Sequence, residues 1–353
     1  MPPAGVTVTR IVANSYHNAF TSLLRWRGDY YLAYREAHSH TTTPPGRIIV
    51  LRSPDGVLWH AIATIATGGD DRDPRLFATA DALGMVFGTY YPAWAPSTTM
   101  ATATHHLQSH IVLSPDGEHW GVPCQVYRPN YWLWSIMISS QDDGTYYAAA
   151  YHFGGYKYAT HSIHLLASED LVVWREIAVL GKGWQLAEPV LFAGEHGLLS
   201  CLIRQDEEAP YLATATPPYS RQTNWTLTQC DGHEWHPSAV LRWDDGWLVA
   251  ARQVTRPSRK GKTAGVDTVV KGSSRWQTVL LACQGTVLTP LVMLPSGGDC
   301  AYAGLAWTDD PDVVLVSYYS QHERREPTPM SLLPDAADIY VARVRVRELS
   351  HAS

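Results

Sequence analysis

Arg35, Arg204 and Arg252 each close an apolar run rich in Tyr, Val, Leu and Ala that follows a polar turn. A guanidinium fork is the natural receptor for a carboxylate, so three at equivalent places in a repeat point to one bound anionic group. The alternative for any single arginine is an ion pair with a neighbouring Asp or Glu; three in register favour convergence. His38 and His40, in the stretch Glu36–Thr43, can transfer a proton in either direction near neutrality. Asp71-Arg72-Asp73-Pro74 reads either as a cluster at a binding rim or as an ion pair that fixes its loop. Trp132, Trp134, Tyr318 and His322 are of types that stack on or hydrogen-bond a sugar ring, with packing as the competing reading. His38-x-His40 with His17 offers metal-ligand types, but no second-shell pattern accompanies them, so no metal and no cofactor is expected.

The elements that position these residues come from repetition. One unit, a strand, a polar turn and a second strand, appears as 21–35, 75–90, 135–152, 189–204, 237–252 and 303–319. Six copies at a spacing of roughly 50–65 residues suit four strands per unit. Registered on their turns, the second strands end at Arg35, Tyr90, His152, Arg204, Arg252 and Tyr319. A second repeat lies between the first. Ser53-Pro54-Asp55-Gly56…Trp59 and Ser114-Pro115-Asp116-Gly117…Trp120 are near copies, Ser168-Glu169-Asp170…Trp174 is a weaker one and Thr216-Pro217-Pro218…Trp225 a remnant. Their Asp and Gly make a tight turn and the Trp plugs the blade beyond it.

This pattern predicts an all-β chain, a six-bladed β-propeller of four-stranded antiparallel blades, forming a single domain over 1–353. Closing the ring removes exposed edges, and the alternating run 339–346 is expected to close it with help from 6–12. Helix signals are nearly absent, and 256–263 and 324–335 read as long loops. Trp 14 and Tyr 19 against Phe 5 favour aromatics with a polar handle, while Gly 26 and Pro 23 supply turns. A net charge of −6 leaves no basic footprint, so nucleic acid is excluded as a partner. Five cysteines without C-x-x-C spacing read as free thiols in a reducing compartment. With no run near the roughly 18 apolar residues of a membrane span, no membrane partner is expected. The chain reads as cytoplasmic, or secreted if a leader had been removed.

Several motifs resemble those of the sialidases. The Ser-x-Asp turns are similar to the Asp-box of that family, whose role is structural. Glu188-Pro189-Val190-Leu191 leading to Arg204 resembles the blade that supplies a glutamate and the second triad arginine, and His236-Pro237-Ser238…Arg252 the blade giving the third. Gly297-Gly298-Asp299-Cys300-Ala301-Tyr302 resembles the segment with the tyrosine nucleophile. The resemblance implies Tyr302 as nucleophile, Glu188 as its activating base, and Arg204 and Arg252 as carboxylate ligands. Sialidases are the exception to the two-carboxylate scheme of glycosidases, since a neutral phenol approaches an anionic sugar without repulsion. Two departures stand out. The family's first blade opens with Arg-Ile-Pro, where this chain has Tyr16-His17-Asn18-Ala19-Phe20-Thr21, so the first arginine is missing and Arg35 is the candidate replacement. The acid–base aspartate is also missing from its loop, leaving Asp73, His38 or His40 for proton transfer. The clustered Asp71-Arg72-Asp73 also resembles the carboxylate motif of furanosidase propellers.

The expected function is an exo-acting glycoside hydrolase on a terminal acidic sugar, with an acidic glycan or oligosaccharide as partner. Catalytic candidates are Tyr302, Glu188, Asp73, His40 and His38. Candidates for substrate binding are Arg35, Arg204, Arg252, His17, Asn18, Arg72, Trp132, Trp134, Asp299, Tyr318 and His322. A uronate lyase using a His or Tyr base with arginine neutralisation, and a sugar-binding propeller without catalysis, remain alternatives.

Overall fold

The computed structural model describes residues 3–40, 45–91, 106–138, 144–152, 160–219, 225–256, 258–263, 266–271, 274–324 and 335–349. Six four-stranded antiparallel sheets account for nearly all the regular structure. Blades 1 to 5 are meanders, as short strands joined by tight turns favour. Blade 1 runs His17–Trp26, Asp29–Ala37, Arg47–Ser53 and His60–Ile65, and blade 2 runs Asp70–Ala78, Leu83–Tyr91, His106–Ser114 and Cys124–Val126. Blade 3 comprises Tyr131–Ile138, Tyr146–His152, Thr160–Ser168 and Arg175–Trp184; blade 4 comprises Leu186–Ala193, Leu199–Gln205, Tyr211–Ala215 and Thr226–Gln229. Blade 5 is built from Trp235–Trp243, Gly246–Thr255, Arg275–Gln284 and Val287–Met293. Blade 6 takes Cys300–Trp307, Val313–Ser320 and Asp338–Arg345, and its fourth strand is the N-terminal Val6–Val12, which pairs with Asp338–Arg345 and closes the ring.

The stretch 256–263, read from sequence as loop, corrects to strand in part: Ser258–Thr263 pairs with Val266–Lys271 as a two-stranded ribbon. Most of 324–335 lies outside the described residues. Among these, no helix is long and apolar enough to cross a membrane, and the one α-helix is the single turn Val346–Leu349.

The core fills the wedges between blades, where apolar side chains from neighbouring sheets interleave. Between blades 1 and 6, Leu32, Leu51, Leu315 and Ile339 pack together, all at or near complete burial. Three rim turns repeat one hydrogen-bond pattern. Asp55 Oδ1 accepts from Val57 N and Leu58 N, Asp116 Oδ1 from Glu118 N and His119 N, and Asp170 Oδ1 from Val172 N and Val173 N. These backbone donors hold all three carboxyl groups below their usual range.

The innermost strands are the part of the fold that makes a site. In every one, a bulge inserts one extra residue against the second strand, at 19–22, 72–75, 133–135, 187–190, 237–239 and 301–304. A bulge bends its strand and re-aims a side chain. In four blades the residue after the break in pairing has positive φ: Phe20 (59°), Asp73 (51°), Glu188 (53°) and Tyr302 (43°). Non-glycine residues rarely adopt this conformation, and it concentrates at functional sites. Hydroxyls tie neighbouring inner strands together where no ladder joins them. Ser22 accepts from Leu76 N, Ser135 joins Pro189 O to Leu191 N, Ser238 joins Ala303 O to Ala303 N, and Thr21 donates to Tyr302 O.

Candidate active site

Side chains from all six blades line one cavity of about 480 Å³ at the axis, including Phe20 and His40 of blade 1, Asp73 of blade 2, Trp134 of blade 3, Glu188 of blade 4, Arg252 of blade 5 and Tyr302 of blade 6. The four positive-φ bulge residues all belong to this lining. The bulges are therefore the local device that turns strand residues toward the axis.

Tyr302 and Glu188 meet as the sequence predicts. The phenol hydroxyl donates to Glu188 Oε1 at 2.7 Å, and Arg204 Nη1 lies 2.9 Å from the hydroxyl and 2.5 Å from the same carboxylate oxygen. Asp206 holds the other side of Arg204, accepting from Nε at 2.7 Å. The guanidinium carbon of Arg252 lies 5.1 Å from the Tyr302 ring centroid and 4.6 Å from that of Trp276, while its Nη2 lies 2.9 Å from His236 Nδ1. Burial first, and then the Glu188 charge, push the Tyr302 phenol well above its ordinary value, against the opposing pull of Arg204 and Arg252. The resting phenol is therefore protonated, and any reaction at its oxygen needs Glu188 to take the proton.

Asp73 is buried on the blade-2 bulge, and desolvation raises its carboxyl to about 6 even though Arg72 and Arg75 pull the other way. Arg72 lies with its guanidinium carbon 5.0 Å from the Phe20 ring centroid and 5.8 Å from that of Tyr90. Its ion contact with Asp70 is long, at 3.6 Å, and its buried Nε has no hydrogen-bond partner.

The arginine expected to supply the third fork is placed elsewhere. Arg35 is fully buried and bound to Asp70 through Nε (2.8 Å) and Nη2 (2.7 Å), with Nη1 donating to Ser39 O; it does not line the cavity. Its ladder position is nonetheless equivalent to that of Arg204: Arg35 faces Ala19 and Arg204 faces Ala187, each beside a bulge. The difference is Asp70, which enters from blade 2 and captures the guanidinium, helped by Gly46, where a Cβ would stand 2.5 Å from Asp70 Oδ1 and 2.6 Å from Arg35 Nε. In blade 2 the ladder position of Arg35 is held by Gly88, opposite Arg72. A Cβ there would come within 2.4 Å of the Trp132 ring, so the glycine lets that ring reach the cavity wall.

Trp132 and Trp134 both line the cavity; Trp132 stacks on Tyr151 at 5.8 Å, and Trp134 meets Tyr302 edge-on at 6.2 Å. His40 lies at the wall, while His38 is exposed with its ring against Tyr16. His17, Asn18, Asp299, Tyr318 and His322 do not line the cavity. His17 and Asp299 stand behind His40, with His17 Nε2 at 2.9 Å and His40 Nδ1 at 2.6 Å from Asp299 Oδ2. Asn18 is a buried strut whose amide donates to Asn14 Oδ1 and Ala337 O. Tyr318 donates to Pro295 O and stacks on Tyr340, against which His322 also packs.

Sequence reasoning passed over the blade-4 and blade-5 wall, where Asp206, Glu234 and His236 cluster with Arg256 and Trp276. Glu234 accepts from both Arg256 Nε and Nη2 at 2.8 Å. Burial, and then the charges of Arg204 and Arg252, keep His236 well below the usual imidazole range, so it stays neutral and accepts from Arg252. Asp206 and Glu234 were legible in principle, since each sits just beyond a strand end already singled out for its arginine or its His-Pro pair. Arg75 was also missed. It is buried beneath the cavity, 4.4 Å over Trp134, with Nη1 donating to Ser238 O and two nitrogens unmet.

Neither a protein-family model nor a curated protein matches the chain. Solved structures do. A protein of unknown function from Dyadobacter fermentans aligns at 19% identity and TM-score 0.70, covering 98% of this chain and 100% of that one. Trypanosoma rangeli sialidase in complex with sialic acid aligns at 10% identity and TM-score 0.67 over 99% of this chain, which spans 60% of the sialidase chain. The phage phi92 endosialidase aligns at 9% identity and TM-score 0.59, covering 97% of this chain and 69% of that one. The fold is thus that of the sialidase-like six-bladed propellers.

Proposed function

We propose that the protein is an exo-acting glycoside hydrolase for a terminal sugar bearing a carboxylate, of the sialic-acid type. The observation that carries this reading is the hydrogen bond from the Tyr302 hydroxyl to Glu188, with Arg204 on the same two oxygens and Arg252 beside the ring. Arg72, Arg204 and Arg252 receive the substrate carboxylate, Arg72 taking the place expected of Arg35. Tyr302 attacks the anomeric carbon as Glu188 accepts its proton, and the cationic neighbours stabilise charge developing on the phenolic oxygen. Water then releases the sugar, and Glu188 returns the proton to Tyr302. Trp132 and Trp134 offer apolar faces to the ring.

The test is turnover of a panel of acidic glycosides, followed by acid quenching and mass spectrometry of the peptide containing Tyr302. A sugar adduct on that peptide, absent in Tyr302→Phe, is the expected result. A product absorbing in the ultraviolet from a new double bond identifies a uronate lyase instead, and saturable binding with no turnover identifies a lectin.

A further inference from the structure

His40 is held through both its ring and its backbone. Its Nδ1 lies 2.6 Å from Asp299 Oδ2, and its backbone N–H donates to Asp335 Oδ2 at 2.6 Å. Asp299 is fixed in turn by Tyr319, whose hydroxyl donates to Oδ1 at 2.7 Å, by His17 Nε2 on Oδ2 at 2.9 Å, and by Gln321 Oε1, which accepts from its backbone N–H at 2.9 Å. The carboxylate is 12% exposed and His17 fully buried, yet the His40 side chain is 45% exposed. The ring thus has one nitrogen committed to a buried carboxylate, while Nε2 has no hydrogen-bond partner among the described residues, and the residue lines the cavity. Phe20 stands between it and the nucleophile, with ring centroids 5.5 Å from His40 and 5.2 Å from Tyr302.

We infer that His40, oriented by Asp299, is the acid–base group of the site, protonating the leaving oxygen through Nε2 and later deprotonating the attacking water. This rests on the hydrolase reading above. In the first step the glycosidic C–O bond breaks as the bond to Tyr302 oxygen forms; the Nε2 proton passes to the leaving oxygen, and the phenol proton to Glu188. In the second, water attacks the anomeric carbon and gives its proton to Nε2, while the Tyr302–carbon bond breaks and Glu188 reprotonates the phenol. The net reaction is hydrolysis, with both residues restored.

Position separates His40 from the other candidate. Asp73 is buried between Arg72 and Arg75, whereas His40 is open to solvent, where a leaving group departs and water enters. Asp299, His17 and Tyr319 are positioning residues: a carboxylate bonded to Nδ1–H sets the tautomer and stabilises the imidazolium. The charged or titratable groups facing this pair are His17, Tyr319, Asp335 and, across His17, Arg35. Even against burial, the hydrogen bonds from His17 and His40 hold Asp299 well below the usual carboxylate range, so it remains an acceptor throughout the working pH range.

The test compares two leaving groups on the same acidic sugar, an acidic phenol that departs without help and a methyl or sugar alcohol that needs a proton. His40→Asn is expected to lower kcat/KM for the alkyl glycoside about 100-fold or more, and for the aryl glycoside less than about 10-fold, while the slowed water attack makes the Tyr302 adduct accumulate with the aryl glycoside. Asp299→Asn is expected to displace the pH–rate profile and, in histidine-labelled protein, to abolish the Nδ1–H tautomer of His40 seen by nitrogen NMR. Equal losses of kcat/KM on both substrates, or the leaving-group split appearing in Asp73→Asn instead, overturn the role of His40 while leaving the hydrolase reading intact. Wild-type protein that cleaves neither glycoside overturns both.

Discussion

The rim turns, on three blades, and the axial bulges, on all six, are repeated devices of one ring, and they repeat in opposite ways. At the rim the residues recur: Ser53, Ser114 and Ser168 precede Asp55, Asp116 and Asp170, and each set makes the same hydrogen bonds. At the axis the backbone recurs and the residues do not, since equivalent bulges carry Phe20, Asp73, Glu188 and Tyr302. Where a turn serves only to close strands, one solution recurs unchanged from blade to blade, here on three of them. Where backbone geometry is shared and side chains diverge, the divergence belongs to the cavity they line.

The largest effect expected at the axis is on chemistry. Tyr302→Phe and Glu188→Gln should each reduce turnover at least about 10³-fold, with little change in thermal unfolding. A comparable loss of folding would place these two with the rim. Next comes the contrast between two arginines. Arg72→Met should raise KM on an acidic substrate by about 10- to 100-fold, the range for one charge-assisted hydrogen bond. Arg35→Met, by leaving buried Asp70 with only the long contact to Arg72 as its ion partner, should cost about 3–5 kcal/mol of stability in denaturant unfolding. Exchange of these two outcomes would restore Arg35 as a ligand.

Asp73 gives a smaller, pH-dependent effect. Its folded value of about 6 exceeds the unfolded carboxylate value near 3.9. The folded state therefore holds the extra proton between these values, and stability falls as pH rises through that window, with the full penalty above about 6. Asp73→Asn should stabilise the protein by about 1–3 kcal/mol at pH 8, with the gain shrinking toward pH 4 in paired denaturant titrations. Smallest of all, Asp116→Ala at the rim should lower the unfolding midpoint slightly and leave kcat and KM unchanged; a kinetic effect would erase the distinction between the two regions.

The blades were legible because the strand–turn–strand pattern and the Asp turns are local, as was the closing role of 6–12 through the alternation of 339–346. The Glu188, Arg204, Arg252 and Tyr302 set was legible through family likeness and proves to be one cluster. What stayed hidden follows from the bulge. Side chains alternate across a strand, so one extra residue exchanges the faces of all that follow. Spacing put Arg35, and not Arg72, in register with Arg204 and Arg252, and only its capture by Asp70 from the neighbouring blade takes Arg35 away from the cavity. His17 and Asp299 were recognised as polar groups near the axis, but their contact spans 282 positions in sequence and only the ring closure creates it.

The hydroxyl links between inner strands bear on how the cavity tolerates change. Ser22, Ser135, Ser238 and Thr21 clasp inner strands together at four of the six junctions through main-chain atoms, independently of what the adjacent bulge displays. The ring thus behaves as a chuck gripping interchangeable tool bits: Phe20, Asp73, Glu188 and Tyr302 can be exchanged for other chemistries while the grip that keeps the axis in register stays untouched.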